Sequence, residues 1–114
     1  MNAHGTGTPA NDSTETRALR QVFGPDADNL PVSSTKSMHG HALGAAGALE
    51  AAVTVLALRG NFIPPTANFL ERDPACDLDV VPNIARAAQI EAALSNSFAF
   101  GALNAVLAFR RVTE

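Results

Sequence analysis

Twenty consecutive residues, GHALGAAGALEAAVTVLALR from Gly40 to Arg59, contain no proline and only two charges, Glu50 and Arg59. Alanine and leucine dominate the run and favour helix, so it predicts one long helix. A helix apolar on nearly every side is stable only when covered, so the remaining elements must pack around it. Gly44 and Gly47 each cost such a helix about 1 kcal/mol relative to alanine, and are expected where another backbone comes close. Gly60 ends the helix, with Pro64 and Pro65 just beyond. Glu50 is the anomaly, because a carboxylate between Leu49 and Ala51 is costly to bury without a partner. Lys36, the sole lysine and set among Ser, Thr and Gly just ahead of the helix, is the obvious counter-charge.

The flanks supply the other layers. Residues 11–23, NDSTETRALRQVF, predict an amphipathic helix with Asp12 and Ser13 as caps. Glu15 then falls in the first turn on a solvated face, and Ala18, Leu19, Val22 and Phe23 on the apolar one. Gly24-Pro25 stops that helix, and LPVSS at 30–34 suits a short buried strand. Residues 61–91 hold four of the seven prolines and read as a long ordered loop with extended pieces around Leu78–Val81. The apolar runs 92–100 and 104–112 form a closing hairpin around Gly101, Ala102 and Leu103. That order implies one layered α/β domain over residues 1–114.

Composition excludes several classes. A content of 46% hydrophobic and 17% charged residues belongs to a globular chain. The net charge of -3, without a run of like charge, argues against a nucleic-acid or anionic-membrane surface. A single cysteine, Cys76, forbids an intramolecular disulfide, which makes the cytoplasm the expected compartment. The start MNAHGTGTPA has no basic stretch followed by an apolar run, and no window is expected to span a membrane. The dense Gly/Thr motif begins at the second residue with no element before it, which suggests a truncated or split chain.

The chemistry-bearing residues sit beside Gly-rich turns. His4 lies in NAHGTGTPAND, where two glycines allow the backbone to fold tightly around one imidazole. His41 opens the central helix in SSTKSMHGHALGAAG, five residues after Lys36. The plain alternatives are a loop histidine in a capping turn and a solvated lysine. His39 and His41 with His4 could also make a three-histidine metal site, although no carboxylate ligand is near in sequence. GTGTP and GAAG lack the phosphate-binding fingerprints. Cys76, in ERDPACDLD, has acidic neighbours that disfavour its thiolate, and reads as a structural loop cysteine.

In order and at matching spacing, NAHGTGTPANDSTET, SSTKSMHGHALGAAGALEA, PPTAN, DPACDLDVVPN and ALSNSFAFGALNAVLAFRR resemble the C-terminal part of the elongating beta-ketoacyl-[acyl carrier protein] synthases. The resemblance implies an α/β, thiolase-like fold of two similar halves, with this chain forming most of the second, as helices packed on a mixed sheet. It implies a decarboxylative Claisen condensation of malonyl-carrier protein with an acyl thioester, in fatty acid or polyketide synthesis, with no cofactor and no metal. His4 and His41 correspond to the two catalytic histidines, Lys36 to the family lysine and Glu50 to its buried glutamate. Phe100 corresponds to the gating phenylalanine, whose N–H helps form an oxyanion hole, and Phe98 to the aromatic before it. Ala99, Ala102 and Leu103 stand where the family usually has Gly, Gly and a small polar residue or His, and their Cβ atoms restrict the loop.

The resemblance also implies acyl carrier protein and malonyl or acyl thioesters as partners, and raises a complementary N-terminal chain and self-association. The family's nucleophilic cysteine, carried by the first half, has no counterpart here, and Cys76 cannot replace it. Two readings follow: a condensing-enzyme segment completed by another chain, or a catalytically silent remnant that binds acyl chains or carrier protein. A metal-binding protein is the third.

Overall fold

The computed structural model describes residues 1–112. Helix α1 spans Pro9–Phe23. Thr8 is its cap, the hydroxyl accepting from the Asn11 N–H, and proline at the first position presets the helical φ. Asp12 and Ser13, expected as caps, therefore lie inside the first turns. The buried stripe is Glu15, Thr16 and Leu19, rotated from the expected one, and Val22 is exposed. Gly24 ends α1 at φ +54°, and a 3₁₀ segment, Gly24–Asn29, follows.

The expected strand at 30–34 is an extended segment with Val32, Ser33 and Ser34 buried, joined by isolated parallel bridges to its neighbours rather than built into a continuous strand. Val32 N–H donates to Asp79 O at 2.8 Å, while Ser33 N–H donates to Met1 O at 3.0 Å and Ala3 N–H to Ser33 O at 2.8 Å. On its other side the Asn2 segment bonds to Leu94 O and to Asn96 N–H. All these neighbours run parallel. Strands β3 (Ala92–Ala99) and β4 (Leu103–Arg110) close the layer as an antiparallel hairpin, in register from Ala92↔Arg110 to Ala99↔Leu103. Leu103, expected in the turn, is paired, and the turn is Phe100-Gly101-Ala102. The Asn2 segment carries no apolar run, which is why the sequence does not reveal it as a strand. A second, small antiparallel sheet joins β1 (Phe62–Ile63) to β2 (Arg86–Ala87) inside the expected loop.

Alternate strand residues point to opposite faces. Ala3 and Val32 meet Leu19 of α1, with Ala27 and Leu78, in the apolar core. Asn2 points the other way, its amide reaching Glu50 O on helix α3 (Ala46–Gly60), so helices cover both faces of the sheet. Helix α3 starts six residues later than Gly40, because Gly40 and Leu43 adopt positive φ (+76° and +48°), which an α-helix cannot contain. Residues 43–45 form a 3₁₀ turn, a four-residue helix α2 (Lys36–His39) precedes it, and His41 lies in the loop between. The helix is also less buried than expected: Ala46, Glu50, Thr54, Ala57 and Leu58 face inward, while Leu49, Val55 and Leu56 are exposed. Gly47 meets only Ser97 Oγ, and Gly44 faces open space, so neither marks a close backbone approach among the described residues. Asn61, not Gly60, caps α3 in the left-handed conformation, held by Arg111, which also donates to Leu58 O. Contrary to the sequence reading, Leu43–Gly60 is by length and composition alone long and apolar enough to cross a membrane. In the fold its Glu50 and Thr54 turn into the protein.

Candidate functional site

His4 ends the Asn2 segment at the rim of the sheet. Two positive-φ glycines, Gly5 (+43°) and Gly7 (+70°), turn the chain immediately afterwards into α1. The loop before α3 brings His41 across: the two imidazoles meet edge to face with centroids 5.4 Å apart. Phe98, near the end of β3, packs its ring 5.6 Å from His4. Residues separated by 37 and by 94 positions thus converge on one imidazole.

The two histidines sit in different settings. His41 is exposed, and its Nδ1 accepts the Leu43 N–H at 3.3 Å. That bond requires a bare Nδ1, so the neutral ring carries its proton on Nε2. The left-handed Leu43 aims this N–H. His4 is 8% exposed, and its Nδ1 is buried without a hydrogen-bond partner. Burial lowers its pKa most, the Lys36 charge pushes the same way, and His41 adds to it; Glu15 and Glu50 oppose. His4 is therefore neutral near pH 7.

Lys36 and Glu50 form the expected buried ion pair, the ammonium on Oε1. Glu50 is wholly inaccessible and Lys36 nearly so. Oε2 of Glu50 is buried without a partner, and both charges act on His4. The pair thus reaches His4 through its charges, and Lys36 lines the same cavity as His41.

Other candidates lie elsewhere. Phe100 is 99% exposed at the hairpin turn and touches neither histidine ring. Ala102 in the same turn takes φ +61°, a conformation that costs an L-residue roughly 1–2 kcal/mol. His39 directs Nδ1 to Gly40 O at 2.8 Å and Nε2 to Thr35 Oγ1 at 3.1 Å, so it does not join His4 and His41. Cys76 lines a cavity of about 660 Å³ that extends to Lys36 and His41. Burial raises its thiol pKa first and Asp73, Asp12 and Asp77 add to this, against a hydrogen bond with Thr16. Acidic neighbours alone are thus not the main cause.

Glu15 is the residue that sequence reasoning misplaced. Its carboxylate is buried beneath the His4-Gly5 turn and accepts both N–H groups at 3.0 Å. The available signal was its position one residue before Thr16 and four before Leu19, the positions that face the core.

Residues 1–70 match the family described as beta-ketoacyl synthase, C-terminal domain. The chain is 58% identical over 98% of its length to Nodulation protein E of Rhizobium sp. (strain N33). It is 56% identical over 97% to 3-oxoacyl-[acyl-carrier-protein] synthase 2 of Synechocystis. It spans only 28% and 27% of those two proteins. Its fold overlays, with a TM-score of 0.95 over 97% of the chain at 40% identity, on a structure described as a type II polyketide synthase acyl-carrier protein in complex with its ketosynthase bound to the hexaketide, 27% of which it covers.

Proposed function

Because the chain belongs to the beta-ketoacyl synthase C-terminal domain family and has an α/β, thiolase-like fold, we propose that its His4–His41 site serves the decarboxylation step of a Claisen condensation in fatty acid or polyketide synthesis. The substrate of that step is a malonyl thioester on a carrier protein. Its bond to the carboxylate carbon breaks, CO₂ leaves, and the electron pair passes into an enolate whose oxygen turns negative. Two imidazole N–H donors directed at that oxygen stabilise the charge as it develops.

The observation that carries this reading is the pair of rings 5.4 Å apart, one of them kept neutral by burial and by Lys36. A neutral imidazole donates through its one N–H and keeps its other ring nitrogen as an acceptor. Glu50 offsets the cost of burying Lys36, and Phe98 holds the His4 ring from behind. Phe100 is the gate of this site, its N–H directed to an oxyanion, once a complementary part of the protein covers the hairpin turn. That complement also supplies the acyl-bearing cysteine, since the partly buried Cys76 thiol with its raised pKa is a poor nucleophile. Residues 1–114 then act as one partial catalytic domain, working in the cytoplasm on carrier-protein substrates.

Decarboxylation of a malonyl thioester by the chain, read as ¹⁴CO₂ release with acetyl thioester as product, tests the proposal. His4→Ala or His41→Ala should each slow it on the order of 10²–10³, and the double variant little further, because two donors to one oxygen act as a unit. Parent-like release from the double variant overturns the assignment.

The second reading is a catalytically silent module that binds acyl chains or carrier protein. Ala102 in a left-handed turn favours it, since a loop so constrained gates poorly. Carrier-protein binding without CO₂ release identifies that case.

A further inference from the structure

Glu15 belongs to α1 and is 5% exposed. Among the described residues its partners are four neutral N–H donors. Oε1 accepts from His4 N–H at 3.0 Å and from the Asn96 amide at 3.1 Å, and Oε2 accepts from Gly5 N–H at 3.0 Å and from the Asn11 amide at 3.2 Å. A carboxylate offers about four lone-pair sites, so this one is fully used. The four donors come from the His4 turn, from α1 itself and from β3. We propose that Glu15 is a positioning residue for His4: by clamping the consecutive His4 and Gly5 N–H groups, it fixes the turn from which the imidazole projects towards His41 and Phe98.

The opposite side of the turn is pinned as well. Ser34 Oγ–H donates to Gly5 O at 2.6 Å, and a Cβ on Gly5 would lie 2.5 Å from Ser34 Cβ. The turn is thus gripped through its N–H groups by α1 and through its carbonyl by the 30–34 segment. A carboxylate is the side chain that fits here, because glutamine would set an NH₂ against N–H donors and leave the two on that side without an acceptor. The charge has a second consequence. Glu15 and Glu50 hold the His4 pKa up while burial, Lys36 and His41 push it down, so removing the Glu15 charge lowers the His4 titration further.

The inference rests on the decarboxylation reading for its significance, but its measurement does not. In the isotopically labelled 114-residue chain, Glu15→Gln should accelerate amide exchange at His4 and Gly5 by at least tenfold. It should also move the His4 imidazole titration to lower pH, leaving exchange at β4 amides unchanged. Glu15→Asp, which keeps the charge but withdraws it by one methylene, should restore the titration more than the exchange. If Glu15→Gln does not fold, the parent chain carries the test, through scalar couplings across the hydrogen bonds from the His4 and Gly5 amide nitrogens to the Glu15 carboxylate carbon. Parent-like exchange and titration in the folded variant, or absent couplings in the parent, overturn the inference whether or not the chain releases CO₂. Missing CO₂ release with the couplings present instead overturns the functional reading and leaves the clamp standing.

Discussion

Glu50 and Glu15 are both buried, the first against the Lys36 ammonium and the second against neutral N–H donors. Glu50 is conspicuous because Leu49, Ala51 and a Pro-free apolar run surround it, and Lys36 is the only lysine available. Glu50→Ala leaves the Lys36 ammonium buried without a counter-charge, so unfolding in urea should reveal a loss of about 3–5 kcal/mol. Glu15 sits among polar neighbours in NDSTETR, where a solvated face is the natural reading. Glu15→Ala in fact strips the acceptor from four donors. The i, i+4 spacing to Leu19 puts Glu15 on the buried face, but what covers that face is a turn that folds back over α1 and that the helix's own sequence does not record. His4 was legible as a site residue from its flanking glycines, but its pH behaviour follows only from the fold. Its folded pKa is lowered from 6.5, so the unfolded chain binds a proton more readily. Stability is then fully present above about pH 6.5 and falls as the pH drops towards the folded value. His4→Asn should flatten that slope in a series of urea unfolding curves between pH 7.5 and 5.

Elements with strong local signals were legible, and their faces less so. Helix α1, the break at Gly24 and the β3–β4 hairpin lie where periodicity and turn residues put them. Helix α3 exists, yet its start moved to Ala46 and its burial to one side, because an all-apolar composition reveals that cover is needed without revealing how much this chain provides. The central Asn2 segment was invisible because its pairing comes from residues 33 and 94–96, far away in the chain. At the hairpin turn the departure from glycine has a cost that can be measured. Ala102 at φ +61° carries roughly 1–2 kcal/mol of strain, and glycine there loses somewhat less than that to the freer unfolded chain. Ala102→Gly should therefore raise stability by about 0.5–1 kcal/mol, seen as a higher urea midpoint at unchanged slope.

At the scale of the molecule, the chain spans about 28% of the curated relatives it matches. The histidine pair, its buried cation and the aromatic beside it are assembled by residues 4 to 98. An acyl-holding nucleophile needs a thiol that ionises readily, commonly at a helix N-terminus or beside a cation. Cys76 has the opposite surroundings: burial raises its pKa, three aspartates add to that, and the nearest counter-effect is a neutral hydroxyl on Thr16. Its cavity extends to His41 and Lys36, so access is not the obstacle and ionisation is. The 114-residue chain given acyl and malonyl thioesters should consequently form no ketoacyl product. Cys76 should react with a thiol-directed reagent at a rate that goes on rising to higher pH than for an ordinary cysteine. Acyl-thioester formation on Cys76 detected by mass spectrometry at pH 7, followed by ketoacyl product, would put the nucleophile in this chain after all. A pH-independent thiol reactivity would show that the surroundings of Cys76 do not suppress its thiolate.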